Sequence, residues 1–249
     1  MRSWLSPPDP SINYYKAIKQ RQSNTGLWFI EGEKFQSWKI NPSSFLWLHG
    51  MPGCGKSILF SSVVENLLEF CDDDPGKAIA YFYFDFQDVE KQYSDLMIRS
   101  LISQVSQQCT RIPEPLKNLI SSDKYRKPPR EVLLQALKQL IKEIPDCFVL
   151  LDALDECSDR LELMELIQTM AEWRYDSLHL LVTSRNERDI GDSIQLFAKD
   201  EDFIALESET VNKDIGAYVR QRLREGKLAK WHKDSAEIEA ALMKKSYGM

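Results

Sequence analysis

The chain has 249 residues and a formal net charge of −6 at pH 7, with 43% hydrophobic and 28% charged residues. That composition is typical of a globular chain with a full apolar core, built as one large domain or as one domain plus a fragment. The acidic balance argues against nucleic acid as the main partner, because neutralising a phosphate backbone requires clustered lysine and arginine.

Five apolar segments of strand length recur in chain order, and each is followed by a helical pattern. The predicted strands are Ser44–His49, Ala78–Phe86, Cys147–Leu151, Leu178–Thr183 and Phe203–Leu206. The main predicted helices are Ser57–Phe70, Ser94–Gln108, Arg130–Ile144 and Arg160–Trp173. Near-continuous apolarity, rather than alternation, indicates strands covered on both faces, as in parallel sheets. The pattern therefore predicts a wound α/β sheet with right-handed crossovers.

Two regions lie outside this predicted core, which gives three segments: 1–40, 41–210 and 211–249. The first is a proline-bearing lead-in with a short segment from Tyr14 to Gln22. The last is predicted to be helical over Asp214–Glu225 and Ser235–Lys245. Thr110–Pro129, with four prolines, is the longest predicted loop, and the adjoining basic cluster Lys124–Arg130 is interpreted as a solvated loop.

The residues Gly50–Ser57 (GMPGCGKS) match the pattern G-x-x-x-x-G-K-[ST], with an apolar strand before them and an amphipathic helix after them. Glycines allow backbone N–H groups to turn around a β-phosphate, and the positive end of the following helix adds to the attraction. We expect Lys56 to reach the β- and γ-phosphates and the Ser57 hydroxyl to ligate Mg²⁺. A glycine-rich turn without a ligand is the less favoured alternative, since both flanks fit. The predicted nucleotide-binding residues of this segment are Gly50, Pro52, Gly53, Cys54, Gly55, Lys56, Ser57 and Ile58.

The second motif is the segment Cys147–Glu156 (CFVLLDALDE), in which an acid ends a buried apolar strand. Because a buried carboxylate is costly unless a charge meets it, Asp152 is interpreted as a ligand of hydrated Mg²⁺. Glu156 lies just beyond the strand, where it could orient or deprotonate an attacking water, and Asp155 competes for that role. The alternative for these acids is a solvated helix N-terminus, which favours negative charge.

The third motif is Thr183-Ser184-Arg185, which again follows an apolar strand. If that strand lies between the first strand and the Asp152 strand, Arg185 could point at a γ-phosphate and distinguish triphosphate from diphosphate. The alternative is an ion pair of Arg185 with Asp155 or Glu156, and the two arrangements fit different nucleotide states. Cys54 is interpreted as a small filler, because no neighbouring histidine activates it.

Together, the phosphate loop, D-A-L-D-E and T-S-R resemble the NACHT family of signal-transduction ATPases, the nucleotide switch of NOD-like receptors. The specific feature is Ala153, a small residue directly after the metal-binding acid. The lead-in Asn24–Trp28 and the segment Trp47–Ser57 are similar to filamentous-fungal NACHT proteins in particular. The resemblance implies a P-loop NTPase fold: a three-layer α/β/α sandwich whose five-stranded parallel sheet has the order 5-1-4-3-2. It also implies adenine contacts from Thr25 and Gly26.

The resemblance further implies ATP or ADP as ligand, with GTP possible, together with Mg²⁺. It implies slow hydrolysis as a signalling switch, and self-association in the triphosphate state through a longer protein. One alternative is a nucleotide-stabilised scaffold that barely hydrolyses, and another is a phosphotransferase or DNA-handling ATPase on the same loop. Relatives continue into a winged-helix region, so a chain that ends at Met249 is interpreted as an excised or truncated module.

The five cysteines and three histidines form no C-x-x-C pair and no regular spacing. We therefore expect neither zinc nor a disulfide framework, and a reducing compartment. No segment approaches the roughly 20 apolar residues that cross a bilayer, and the N-terminus lacks a signal-peptide core. The expected location is the cytoplasm.

Overall fold

A computed structural model describes residues 5–22, 25–109, 117, 128–206, 214, 216, 218–221, 223 and 235–246. The strands within this part are β1 (Phe45–His49), β2 (Lys77–Tyr83), β3 (Asp146–Asp152), β4 (Leu178–Ser184) and β5 (Phe203–Ala205). The α-helices are α1 (Ser11–Gln20), α2 (Leu27–Ile30), α3 (Glu33–Ile40), α4 (Lys56–Cys71), α5 (Ser94–Gln108), α6 (Arg130–Lys142), α7 (Arg160–Glu172), α8 (Arg188–Ile194) and α9 (Ser235–Ser246). Single 3₁₀ turns lie at Val89–Lys91, Leu154–Glu156 and Asp200–Asp202.

The five strands form one parallel sheet in the order β2-β3-β4-β1-β5, which confirms the predicted order. At the carboxyl edge, His49 of β1 lies opposite Ser184 of β4, and Tyr83 of β2 lies opposite Asp152 of β3. The segments that follow β1, β3 and β4 therefore meet at one edge of the sheet. Ligands of open α/β sheets bind outside the carboxyl ends of the strands, so this edge positions the site.

Helices cover both faces of the sheet and confirm the three-layer architecture. On one face, α5, α6 and α7 bury apolar side chains such as Leu101, Leu137 and Ile167. On the other face, α4 and α3 do so, with Phe60 and Trp38 among the buried rings. Burying both faces explains why the strands are apolar throughout rather than alternating.

The second strand ends earlier than predicted, at Tyr83 rather than at Phe86. Beyond Tyr83, the side chain of Asp85 accepts a hydrogen bond from the Gln87 backbone N–H at 2.9 Å, which closes a turn. Phe86 is 61% exposed in that turn. The aromatic run suggested a longer strand, but local side-chain hydrogen bonding of the aspartate outcompetes the strand ladder.

The outer edge of β2 is covered by two glutamine side chains of α5. Gln108 accepts from the Ile79 N–H at 3.0 Å and donates to the Ile79 carbonyl at 2.7 Å. Gln104 makes the same pair of bonds with Tyr81, at 3.1 and 2.9 Å. Unpaired backbone groups of an edge strand are a template for aggregation, and these amides satisfy four of them.

The segments outside the sheet are described in part. Helix α9 confirms the predicted helix Ser235–Lys245, and the described residues between 214 and 223 are also helical. Most of the predicted loop Thr110–Pro129 and the basic residues Lys124, Arg126 and Lys127 lie outside the described residues. Arg130, the last residue of that basic cluster, begins α6 as in the predicted helix Arg130–Ile144, and it pairs with Asp95 at 2.6 Å and with Glu162. The domain limits at 40 and 210 stay predictions.

Candidate functional site

The phosphate loop connects β1 to α4 at the carboxyl edge of the sheet. Gly53 and Gly55 have φ angles of 81° and 92°, in the left-handed region that glycine adopts without strain. A Cβ built at either residue would meet nothing within 4 Å, so the inner side of the loop faces open space. The chain then enters α4 at Lys56, and the first N–H groups of that helix lack intrahelical partners. This concave, donor-rich loop fits an anion.

The side chains of the loop are arranged around the same space. Lys56 Nζ donates to the carbonyl oxygens of Gly50 at 2.7 Å and Met51 at 2.9 Å. Cys54 is buried, with its Sγ 3.8 Å from Lys56 Nζ, as expected of a small filler. Pro52, Gly53 and Ser57 are exposed, and Ile58 is half-buried. The lysine thus lies across the loop, with an ammonium group that donates only to backbone carbonyls and to Cys54.

Asp152, the last residue of β3, is 2% exposed. Its Oδ1 accepts a hydrogen bond from the Thr183 hydroxyl of β4 at 2.5 Å. Burial raises the pKa of Asp152 to about 6, and hydrogen bonds from Ser57 and Thr183 offset part of that rise. Among the described residues, no lysine or arginine forms an ion pair with this carboxylate. A buried acid beside an exposed serine hydroxyl, with only neutral donors of its own, fits a divalent cation.

Ala153 turns the chain sharply after the strand. Its φ of 57° and ψ of 52° place a non-glycine residue in the left-handed region. Its N–H donates to the Thr183 hydroxyl at 3.1 Å, and its carbonyl accepts from the Glu156 N–H at 2.9 Å. Left-handed backbone is least unfavourable for a small side chain, which gives a physical reason for alanine here.

Asp155 forms an ion pair with Arg185, the alternative that the sequence left open. Oδ1 of Asp155 accepts from the Arg185 N–H and Oδ2 from Arg185 Nε, both at 2.9 Å. The Asp155 side chain is 4% exposed and that of Arg185 is 45% exposed. Arg160 Nη2 also donates to the Asp155 carbonyl at 2.5 Å. Both oxygens of this acid are therefore engaged by Arg185, which itself lines the cleft.

Glu156 is half-buried beside the turn that follows β2. Its Oε2 accepts from the Phe86 N–H at 3.1 Å. Burial raises the pKa of Glu156, and the negative charges of Asp155 and Asp85 raise it further. The Phe86 bond and the Arg185 charge act in the opposite direction. A carboxylate with a raised pKa at the edge of a cleft is suited to accept a proton.

These residues line one cavity of about 480 Å³, which we call the loop cleft. The structure brings together most of the predicted site residues there, namely Pro52, Gly53, Gly55, Lys56, Ser57, Ile58, Asp152, Asp155, Glu156 and Arg185. Thr183, the partner of Asp152, was not predicted as a site residue, although it lies in the T-S-R motif. One face of α1 was not predicted either, and its residues Asn13, Lys16, Ala17 and Gln20 form a wall of the cleft. Their i, i+3, i+4, i+7 spacing marks a helix face, but no sequence signal shows what that face meets.

A second cavity of about 230 Å³, the side pocket, adjoins the loop and shares Gly53, Gly55 and Ile58 with the loop cleft. Thr25, Gly26 and Trp28 line it together with Cys54, Ile58 and Leu206, among others. Gly26 has a φ of 80°, and its N–H donates to Asp214 Oδ2 at 2.7 Å. A Cβ at Gly26 would lie 2.9 Å from the Leu59 side chain, so close packing requires glycine. The structure thus places Thr25 and Gly26 beside the loop.

Three further features belong to the described part of the chain. No cluster of three or more His, Cys, Asp and Glu side chains is arranged there to hold a metal ion. No helix within those same residues combines the length and the apolarity that a bilayer crossing requires. The cysteines described are thiols without disulfide partners.

Sequence comparison gives one family match and one curated relative. The family described as Nephrocystin 3, N-terminal, matches residues 24–185, more than half of the chain. The vegetative incompatibility protein HET-E-1 of Podospora anserina is 25% identical over 205 residues. That alignment covers 79% of this chain but 15% of the relative, so the chain corresponds to a small part of it.

Structural comparison gives more distant neighbours. A DNA replication initiation factor has a TM-score of 0.43 at 10% identity, over 83% of this chain and 53% of its own. Cdc6p from Pyrobaculum aerophilum has a TM-score of 0.41 at 16% identity, over 90% and 52%. Drosophila ORC bound to DNA has a TM-score of 0.42 at 15% identity, over 90% and 55%. The strand order and the loop are established by the structure of this chain and not by these neighbours. The chain belongs to the nephrocystin 3 N-terminal family, as a nucleotide-binding module of the NACHT type found in fungal NOD-like receptors.

Proposed function

We propose that this chain binds ATP or GTP with Mg²⁺ in the loop cleft and hydrolyses it slowly, as a switch in signalling. The observation that carries the proposal is the buried Asp152, which has only hydroxyl partners and lies beside Ser57 at the end of a glycine loop. Such a carboxylate is stabilised by a cation that arrives with the ligand. Lys56, on the same loop, supplies positive charge for the phosphates.

Each residue of the cleft has a defined part in this proposal. The loop N–H groups and Lys56 hold the phosphates, while Ser57 and Asp152 hold the metal ion. When bound, Mg²⁺ neutralises charge on the β- and γ-phosphates. Glu156 accepts a proton from the attacking water, because its pKa is raised and it lies at the cleft edge. Asp155 orients Arg185 rather than the water, since both of its oxygens are engaged.

The side pocket is the proposed binding site for the base. Thr25 and Gly26 lie beside the loop that would hold the phosphates, and Trp28 and Ile58 supply apolar surface for a purine. This apolar surface suits adenine and guanine alike, so the proposal covers both. A single ligand would then bridge the side pocket and the loop cleft across Gly53 and Gly55, which line both.

The biological role follows from the relative and is a proposal for the longer protein. HET-E-1 is named a vegetative incompatibility protein, and this chain spans 15% of its length. We propose that the module acts in the cytoplasm within a fungal NOD-like receptor of innate immunity or incompatibility. In the triphosphate state it would support self-association, because the γ-phosphate adds contacts that bias a two-state equilibrium.

The test is nucleotide binding by calorimetry with MgATP, MgADP, MgGTP and MgGDP. Wild type is expected to bind at least one triphosphate, and Lys56→Ala to lose about 100-fold in affinity or more, as for two charge-assisted bonds. Lys19→Ala, an exposed lysine on α1 outside the cleft, is the matched control and is expected to bind like wild type. Unchanged binding by Lys56→Ala would remove the site assignment.

A second candidate function is a nucleotide-stabilised scaffold with little hydrolysis. The Arg185–Asp155 ion pair favours the scaffold, because an arginine that is paired with a carboxylate of its own chain is less available to bind a γ-phosphate. Phosphate release from a saturated complex in a single turnover separates the two functions. Release of one equivalent supports the switch, whereas bound triphosphate that persists for hours supports the scaffold.

A further inference from the structure

The N-terminal helix α1 forms a wall of the loop cleft through one face. Asn13, Lys16, Ala17 and Gln20 line the cleft, and their spacing of three and four residues places them on the same side of the helix. Ala17 is buried, so the helix packs closely at this point. One wall of the cleft thus comes from a helix that ends at Gln20, 30 positions before the phosphate loop begins at Gly50.

Part-buried hydrogen bonds and an ion pair hold this helix beside the cleft. Asn13 Nδ2 donates to Asp85 Oδ2 at 3.1 Å, and Lys91 Nζ donates to Asn13 Oδ1 at 2.6 Å. Lys91 is 3% exposed, and its ammonium lies 3.3 Å from Asp88 Oδ2. At the other end of α1, Arg21 pairs with Glu65 of α4 at 2.6 Å. The helix is therefore fixed to both the turn after β2 and the helix after the loop.

Three cationic side chains line the loop cleft among the described residues: Lys16, Lys56 and Arg185. Lys56 Nζ bonds the loop carbonyls, and Arg185 pairs with Asp155. In the part of the chain that the structure describes, Lys16 makes no hydrogen bond or ion pair. It is exposed, and it shares the cleft wall with the well-anchored Asn13 one turn earlier on the helix.

We propose that Lys16 is a γ-phosphate-binding residue that lets α1 distinguish a bound triphosphate from a diphosphate. This inference rests on the proposed function of the same cleft. The loop and Lys56 would hold the phosphates nearest the loop, whereas Lys16 lies on α1, a separate element of the cleft lining, where it would meet the terminal phosphate of the longer ligand. The ammonium would form a charge-assisted bond to a terminal phosphate oxygen. The Asn13–Lys91–Asp85 network positions the helix that carries it.

The experiment compares the affinities of Lys16→Ala for MgATP and MgADP, repeated with MgGTP and MgGDP, by calorimetry. The expected result is a loss of tenfold or more for the triphosphate, on the scale of about one charge-assisted hydrogen bond, with less than a twofold change for the diphosphate. Lys16→Arg is expected to retain most of the selectivity. Lys19→Ala, exposed on the same helix and outside the cleft, is the control and is expected to leave both affinities unchanged.

Three outcomes would overturn the inference: equal losses for both ligands, no loss for either, or the same triphosphate loss in Lys19→Ala. Each presupposes that wild type binds nucleotide. Wild type that binds none of the four nucleotides would instead refute the proposed function, so the two failures are distinguishable. Because Lys16 is exposed, alanine there is expected to leave the unfolding temperature within 2 °C of wild type, on the scale of an exposed helix substitution.

Discussion

Two acids three residues apart, Asp152 and Asp155, are both buried at the end of β3, yet their surroundings differ. Asp152 accepts hydrogen bonds from hydroxyl groups only, and burial raises its pKa to about 6. Asp155 has the guanidinium and the backbone N–H of Arg185 on its two oxygens. One acid is therefore paired with a cation of the chain, whereas the other has hydroxyl donors only, so burial at the end of the same strand does not imply the same electrostatic surroundings.

The largest expected effect is on phosphate release, from substitution of Glu156, the acid that follows Asp155 in the chain. Glu156→Gln keeps the size of the side chain and removes its ability to accept a proton, so we expect phosphate release to fall about 100-fold or more. Affinity for MgATP should stay within about threefold of wild type, since the amide still accepts from the Phe86 N–H. Single-turnover phosphate release and calorimetry measure the two quantities. Equal turnover by both proteins would refute the assignment and leave Asp155 as the candidate.

The same assignment predicts a pH dependence. The groups facing Glu156 are Asp85, Asp155, Arg185 and the Phe86 N–H, and the net result with burial is a pKa above the usual value of 4.5. The proton acceptor is the ionised form, so turnover should fall as the pH decreases through this raised pKa. A single-turnover rate profile between pH 5 and pH 8 checks the sign. A rate that rises toward acid would contradict a carboxylate base.

The contrast between the acids predicts opposite effects on stability for two similar substitutions. Asp152→Asn should abolish the Mg²⁺ dependence of nucleotide binding but stabilise the nucleotide-free protein by roughly 1–3 kcal/mol at pH 7, because it removes a buried charge. Because the pKa of Asp152 is raised in the folded state, the protonated carboxyl stabilises the folded protein below about pH 4, and this stabilisation is lost as the pH rises through about 6. The gain from Asp152→Asn should therefore be present at pH 7 and fade toward pH 4. Thermal unfolding at both pH values measures it.

Asp155→Asn should destabilise the protein by roughly 1–3 kcal/mol, because the new amide group faces the Arg185 guanidinium and the ion pair is lost. Thermal unfolding should shift downward by several degrees for a chain of this size. Its matched partner is Asp152→Asn, which moves in the opposite direction. Two downward shifts of equal size would show that the two carboxylates are equivalent, contrary to the geometry.

The smallest expected effect concerns the turn between the acids. Ala153→Gly removes a Cβ from left-handed backbone and should stabilise the folded protein by about 1 kcal/mol, offset in part by greater freedom of the unfolded chain. Ala153→Val should destabilise it, because a β-branched side chain tolerates that backbone poorly. Denaturant unfolding of the two variants provides the comparison. A loss of stability in the glycine variant would indicate that the Ala153 methyl group contributes packing.

Much of the fold was predictable because its signals are local. The strand Cys147–Leu151 and the helix Ser94–Gln108 show in periodicity and apolarity, and the structure places them within one residue. The predicted end of the second strand at Phe86 was wrong, because the β-propensity of the aromatic residues was given more weight than the turn-forming side chain of Asp85. The helix that begins at Arg130 was predicted, but its pairing with Asp95 was not, because charge clustering does not show which acid a basic residue meets. Turn chemistry explains the first difference, and a contact between distant segments explains the second.

The sequence by itself determined the loop Gly50–Ser57, the acid at the end of β3 and the alternation of strands and helices. These features depend on residues that are neighbours along the chain, and their backbone chemistry is set by type and spacing. Only the tertiary structure decided that Arg185 meets Asp155, that Thr183 supports Asp152 and that Lys16 faces the cleft. Those pairings join segments 30 or more residues apart. The pairing of β3 with β4 selects the first two, the packing of α1 against the sheet layers selects the third, and no local pattern encodes either choice.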